Sequence, residues 1–179
     1  MLKKFKLFNS KKVLILHGLG GGPSQEKSEI FEKRGYEVIF PHIDYSEEWN
    51  KDKCKSMFDK LLKITKNVNL IVGQSLGGYT AFLLSNILNI DTILINPAID
   101  RDKTKLNIKK FDLGYDIEYN NSNIEIYFGE LDTLVPMDIT KNFLRENNLR
   151  YNQIIIPNME HRSPADKIDE ILKISNYLK

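Results

Sequence analysis

Asn69-Leu70-Ile71-Val72-Gly73-Gln74-Ser75-Leu76-Gly77-Gly78-Tyr79 is the stretch that decides how this chain folds. Asn69–Val72 ends in three apolar residues, two of them β-branched, as a buried strand does. Gly77–Leu88 is strongly apolar, as a helix packed deep against a sheet should be. Between them the chain turns from strand to helix within a few residues. Such a turn forces its central residue, Ser75, into strained dihedrals, and glycine at 73 and 77 removes the side chains that would collide there. The Ser75 hydroxyl is then held at the sheet's edge above a helix N-terminus. The helix dipole and free N–H groups there favour a developing negative charge. Gly-x-Ser-x-Gly between a strand and a helix is the setting of a nucleophile elbow. The plainer alternative is a glycine-rich turn with an incidental serine.

Outward from this point, short apolar runs alternate with helical patterns. Strands are predicted at Val13–His17, Tyr36–Phe40, Asn69–Val72, Thr92–Ile95, Ile124–Phe128 and Gln153–Ile156. Their hydrophobicity is continuous rather than alternating, which a strand covered on both faces requires. Helices are predicted at Ser24–Arg34, with Ser24 as N-cap and Gly35 past the end, at Ser46–Thr65, with Trp49 on its apolar side, and at Met137–Asn147. A last helix takes Ser163 as N-cap and Pro164 as first residue. This rhythm predicts an α/β fold with a mostly parallel sheet of about six strands flanked by helices. Ligands of such sheets bind beyond the carboxyl ends of the strands. The long polar stretch 96–123 breaks the rhythm and reads equally well as a small lid or as a solvated excursion.

A serine hydroxyl is a poor nucleophile until a base takes its proton, and that base needs an orienting carboxylate. In this architecture the order along the chain is serine, acid, histidine. Among the three histidines, His161 alone lies downstream of Ser75, in a loop after the last strand. Asp132 is the best-placed acid, after the strand Ile124–Phe128 and its turn-permitting Gly129. Glu130 and Asp100 are the competitors. His17-Gly18-Leu19-Gly20-Gly21-Gly22-Pro23 follows the first strand, and a loop this rich in glycine lets backbone N–H groups approach a ligand. The amides of Leu19 and Leu76 are therefore the expected oxyanion hole, with His17 bracing the loop. Leu134, Val135 and Ile99 are candidate walls of an acyl pocket, each equally readable as core.

Rival chemistries fare worse. Gly18-Leu19-Gly20 opens like a dinucleotide fingerprint, but Pro23 replaces the third glycine and no Lys-Ser/Thr follows to make a phosphate loop. The histidines are scattered and Cys54 is the sole cysteine, so no metal site and no internal disulfide is expected. With 26 basic and 24 acidic residues the net charge is +2, too weak to argue for nucleic acid or a membrane surface. The basic opening, Met1–Lys12, lacks the apolar core of a secretion signal. No run of about 20 apolar residues exists to span a bilayer. A cytoplasmic setting fits the single cysteine, taken as a buried thiol. The 179 residues suit one domain, and the patches rich in asparagine and lysine read as compositional bias.

Four segments together carry a family resemblance: His17-Gly18-Leu19 with Ser24-Gln25-Glu26-Lys27, Gly73 to Tyr79, Ile95-Asn96-Pro97-Ala98, and Glu160-His161. They look like the small bacterial YqiA-like esterases of the α/β-hydrolase superfamily. The resemblance implies a reduced α/β-hydrolase core with little or no cap. It implies action on short-chain acyl esters with no cofactor, and Ser75, Asp132 and His161 as nucleophile, acid and base. Two departures stand out: the run Gly20-Gly21-Gly22 is richer in glycine than that branch, and Gly129 to Pro136 looks like the wider superfamily. The expected activity is cleavage of small carboxylic esters or thioesters through an acyl-serine intermediate, on a small-molecule substrate. The contrasting possibility is a degenerate hydrolase fold that binds a ligand or protein without turnover. Physiological substrate and oligomeric state are not legible in these residues.

Overall fold

A computed structural model of the chain describes residues 10–45, 50–106, 117–121 and 123–178. Among these, six strands and five α-helices follow one another. They are β1 (Lys11–Leu16), α1 (Gln25–Glu32), β2 (Tyr36–Ile39), α2 (Lys51–Thr65), β3 (Leu70–Gln74), α3 (Leu76–Leu88), β4 (Asp91–Ile95), β5 (Ile124–Gly129), α4 (Met137–Glu146), β6 (Asn152–Ile156) and α5 (Ala165–Ile174). Every neighbouring pair of strands is parallel, in the order β2-β1-β3-β4-β5-β6. Parallel pairing requires the chain to cross back between strands, which is why helices alternate with them. It also places every strand's carboxyl end on one edge, where the interesting loops gather.

The continuous apolar runs follow from the two-sided cover. In β1, Leu14 and Leu16 point into a core shared with Cys54 and Phe58 of α2, Phe82 and Leu84 of α3 and Leu144 of α4. Val13 and Ile15 point the other way, against Phe31 of α1 and Ile168, Ile171 and Leu172 of α5. The same alternation divides Ile71 from Leu70 and Val72, and Leu94 from Ile93 and Ile95. Full cover holds for the inner strands only. In the edge strand β6, Ile155 is 48% exposed, because no further strand flanks it and its helices leave that side open. The cover predicted for all six strands is thus reduced at this edge.

Helix α3 is buried on nearly every side. Its first turn presses so closely on β1 that a Cβ on Gly77 would collide with the backbone carbonyls of Leu16 and His17. The turn at Ser75 therefore lies beside the loop that follows β1.

Helix ends differ from the sequence pattern in two places. The last helix begins at Ala165, with Pro164 in extended geometry at the cap position and no side-chain cap bond. Ser163, predicted as the cap, is instead buried, with its hydroxyl against the sulfur of Met159 at 3.6 Å. Helix α2 starts at Lys51, capped by Asn50, whose Oδ1 accepts from the Lys53 amide at 2.9 Å. The earlier start at Ser46, and Trp49, lie outside the described residues, as do Met1 to Asn9 and residues 107–116 and 122 of the stretch 96–123. The cap at Ser24 has the predicted form, accepting from the Lys27 amide at 3.4 Å. Four asparagines, Asn89, Asn96, Asn148 and Asn158, take the left-handed backbone region with φ between 46° and 56°.

The C-terminal segment is tied to the sheet by Glu125 of β5. Its buried carboxylate accepts from Ser175 Oγ at 2.7 Å, Asn176 Nδ2 at 2.7 Å, the Asn176 amide at 3.2 Å and Tyr127 Oη at 2.8 Å. Burial pushes the Glu125 pKa up, but the hydrogen bonds from Ser175, Tyr127 and Asn176 outweigh it and hold the group below the usual glutamate value. A folded-state pKa below the unfolded one stabilises the protein at neutral pH. That stabilisation fades as pH falls below the unfolded value, about 4.3, and through the folded one. In Glu125→Gln this part of the pH dependence should be absent. Denaturant melts from pH 7 downward should therefore show a shallower loss of stability in the variant than in the wild type.

Candidate active site

Ser75 follows β3 directly and carries φ 56° and ψ −120°, a conformation that L-residues adopt only under strain. Neighbouring backbone holds it there: the Ser75 amide donates to Ile95 O at 3.0 Å, and its carbonyl accepts from the Ala98 amide at 3.0 Å. The strained turn is thus pinned to the end of β4. Gly18 approaches from the other side, so closely that a Cβ there would sit 2.7 Å from the Cβ of Ser75.

The side chains named from the sequence converge. His161 Nε2 lies 2.9 Å from Ser75 Oγ, and His161 Nδ1 lies 2.8 Å from Asp132 Oδ2. The second oxygen of Asp132 accepts the amides of Leu134 and Val135, both at 2.9 Å. With both oxygens engaged, the carboxylate has one orientation available. It is 1% exposed, and the imidazole 13%. A proton on Nδ1 facing the carboxylate leaves Nε2 as an acceptor for the serine hydroxyl.

The competing acids are engaged elsewhere. Glu130 is exposed and accepts the Asn158 amide at 3.1 Å. Asp100 pairs with Lys103 at 2.7 Å.

The loop after β1 is braced by His17. Its Nε2 accepts the Ile43 amide at 3.0 Å, so its proton sits on Nδ1 and is donated to Gly18 O at 2.8 Å. Burial lowers its pKa below the ordinary imidazole range. The Gly18 bond opposes this in part, and the charges of His42 and Lys27 add to it. A neutral ring is what the two bonds need. Leu19, 39% exposed, lies in this loop, and Leu76 opens α3. Neither amide has an acceptor among the described residues.

Ser75 and His161 border a cavity of about 440 Å³, which Leu19, Leu106 and Leu134 also line. Val135 and Ile99, proposed from sequence as walls, are 2% and 5% exposed and are not among its lining residues. Ile99 joins the core on the α3 side of the sheet. The cavity also holds Lys27, Gln74, Arg162 and Ser163, none of which the sequence had assigned a place in the site.

Asn96 is the other residue whose place the sequence did not reveal. Its Nδ2 donates to Glu160 O at 2.9 Å and His161 O at 3.2 Å, while its Oδ1 accepts the Gly129 amide at 2.6 Å. One side chain thereby joins the ends of β4 and β5 to the histidine loop. Gln74 adds a bond from Nε2 to His161 O at 3.2 Å. The position of Asn96 straight after a strand, before Pro97, was the available signal.

Among the described residues no group of three histidine, cysteine or acidic side chains is placed to hold a metal ion. No helix among them is long and apolar enough to cross a membrane.

Many solved structures share this architecture. An α/β-hydrolase enzyme, MGS-MChE2, from the sediment metagenome of the Mar Chica lagoon in Morocco superposes with a TM-score of 0.69 at 20% identity, covering 92% of this chain and 88% of its own. A hydrolase of the α/β superfamily from Xanthomonas campestris pv. campestris, itself of putative function, gives 0.62 at 18% identity, with 92% and 97% covered. The fluorophosphonate-binding serine hydrolase F of Staphylococcus aureus gives 0.61 at 18% identity, with 97% and 84% covered. Likeness at this identity establishes the fold. No curated protein sequence matches the chain. The profile of an uncharacterised protein family, UPF0227, matches residues 12–113, a span that includes both the glycine-rich loop and the elbow. The chain has the α/β-hydrolase fold and belongs to the family UPF0227.

Proposed function

We propose that this protein is a serine hydrolase that cleaves small carboxylic esters or thioesters through an acyl-serine intermediate. The observation that carries this reading is the unbroken relay from Asp132 through His161 to Ser75, with both links below 3.0 Å. His161 Nε2 takes the proton as Ser75 Oγ bonds to the carbonyl carbon. The oxygen's negative charge falls on the amides of Leu19 and Leu76, donors that need no reorganisation at that moment. His161 then gives its proton to the leaving alkoxide or thiolate. In the second half a water is deprotonated by His161, attacks the acyl carbon, and returns Ser75 to its free form. Asp132 fixes the tautomer and stabilises the imidazolium in both halves.

The size of the cavity favours a small substrate, with Leu19 and Leu134 against the acyl group. No step calls for a cofactor. In this reading residues 1–179 act as one domain in a cytoplasmic setting.

Ser75→Ala should lower turnover of a short-chain p-nitrophenyl ester by about 10³-fold or more, with a melting temperature close to wild type. A fluorophosphonate probe should label the wild type at Ser75 and leave the variant unlabelled. Unchanged turnover in the variant, or no labelling of the wild type, would refute the reading. Asp132→Asn should keep the geometry but favour the wrong imidazole tautomer, with a loss on the order of 10⁴-fold in kcat.

Asn96→Ala leaves a buried amide and two carbonyls without their partner, at a cost of about 1–3 kcal/mol each where no water enters. Its expected signature is lower kcat with little change in KM, since the side chain aligns the acid and histidine loops without touching substrate. Hydrogen exchange should quicken at Gly129. A variant with wild-type kcat and stability would remove Asn96 from this role.

A further inference from the structure

The cavity beside Ser75 carries positive charge that ester cleavage leaves unused. Two of its lining residues, Lys27 and Arg162, are cationic, and none of the described lining residues is acidic. Lys27 is placed by the first turn of α1, where its own amide caps onto Ser24. Its ammonium is half-buried and donates to the neutral oxygen of Gln74, Oε1, at 3.5 Å. Gln74 immediately precedes Ser75. Among the described residues no carboxylate lies within 4.0 Å of the half-buried Lys27 or of the exposed Arg162, whereas the half-buried Arg34 and Lys167 are each paired.

A half-buried ammonium facing a neutral amide is under-compensated, because charges withdrawn from water are ordinarily paired. Burial accordingly holds the Lys27 pKa below the usual lysine range, with Glu26 opposing in part. The relay through His161 already supplies the base, so Lys27 has no proton to move in the reaction. Arg162 directly follows the catalytic histidine of the proposal, and a guanidinium is well matched to the flat, two-oxygen face of a carboxylate or phosphate.

We propose that Lys27 and Arg162 form an anion-recognition subsite, so that the substrate is an ester bearing a carboxylate or phosphate group rather than a neutral acyl ester. This rests on the serine hydrolase reading for turnover but not for binding. The anion completes the charge of the cavity wall while the ester carbonyl sits at Ser75. A cavity of about 440 Å³ takes a short acyl or alcohol part together with one such group.

Matched esters test it on the full chain. On the acyl side, mono-p-nitrophenyl adipate is compared with p-nitrophenyl hexanoate, where a methyl replaces the carboxylate. On the alcohol side, p-acetoxybenzoate and p-acetoxyphenyl phosphate are compared with p-tolyl acetate, which separates carboxylate from phosphate. At least one anionic ester should exceed its neutral counterpart about tenfold or more in kcat/KM, the range of a hydrogen bond to a charged group. That ratio should fall towards one in Lys27→Met and in Arg162→Met, be kept in Lys27→Arg, and shrink with added salt. Ratios near one for every pair in the wild type, or ratios unmoved by both methionine variants, would overturn the inference.

Calorimetry with Ser75→Ala separates the two readings. Adipic acid mono-p-nitroanilide should bind that variant more tightly than hexanoic acid p-nitroanilide, and Ser75→Ala with Lys27→Met should lose the difference. If no ester is cleaved and the fluorophosphonate fails to label, the hydrolase reading falls, and binding of the anilides, together with p-acetamidobenzoate and p-acetamidophenyl phosphate against p-acetotoluidide, still decides the subsite. Equal binding of anionic and neutral members in every pair, with no anionic preference in turnover, rejects it.

Discussion

Everything in this site depends on one residue being held where it does not want to be. Ser75 sits at φ 56° and ψ −120°, a conformation costing about 1–3 kcal/mol for a residue with a side chain. Two backbone hydrogen bonds to the end of β4 over-determine it, one through its amide and one through its carbonyl. The deeply buried α3, anchored by Phe82 among Tyr119, Phe143 and Tyr151, prevents the turn from relaxing. A looser elbow would let the hydroxyl swing away from His161 and the two open amides.

The remaining geometry is a problem of bringing three loops to one point. β3, β4, β5 and β6 are successive parallel neighbours, so the loops that carry Ser75, Asp132 and His161, after β3, β5 and β6, emerge from one edge. Proximity alone leaves each loop free to shift by an ångström or more, enough to spoil a proton transfer. Asn96 removes that freedom by joining the Gly129 turn to the carbonyls of Glu160 and His161. Asp132 is then locked by two amides of its own loop. On the far side His17, kept neutral, fastens the glycine-rich loop to Ile43. Ser75, Asp132 and His161 are thus held by supports that are themselves hydrogen-bonded to backbone.

Much of this was legible in the sequence because its signals are local. The strand, elbow and apolar helix around Ser75 announce a doubly covered parallel sheet. Ser75, Asp132 and His161 stand out as a group because each lies in a loop that leaves a strand, in the serine, acid, histidine order this architecture uses. What was hidden is whatever depends on distances between loops. Lys27 reads as an ordinary charged helix residue until α1 is packed beside the elbow. Asn96 marks a family motif, but its three partners lie more than 30 residues away. Ile99 and Val135 follow strands as pocket residues do, yet their side chains turn inward to the core. Ser163 has the composition of a helix cap, but Pro164 occupies that position, and the hydroxyl is buried instead. Local pattern identifies a strand end; only packing decides which way its next side chain points.

The four left-handed asparagines carry a consequence for the unfolded chain. Asn89, Asn96, Asn148 and Asn158 stand at turns where glycine is the commoner choice. Asparagine reaches that backbone region at modest cost, and its side chain still restricts the denatured chain. Each such turn therefore forfeits less configurational freedom on folding than a glycine would. In a protein of this size, where net stability is a small difference between large terms, asparagine rather than glycine at these four turns keeps the unfolded ensemble smaller.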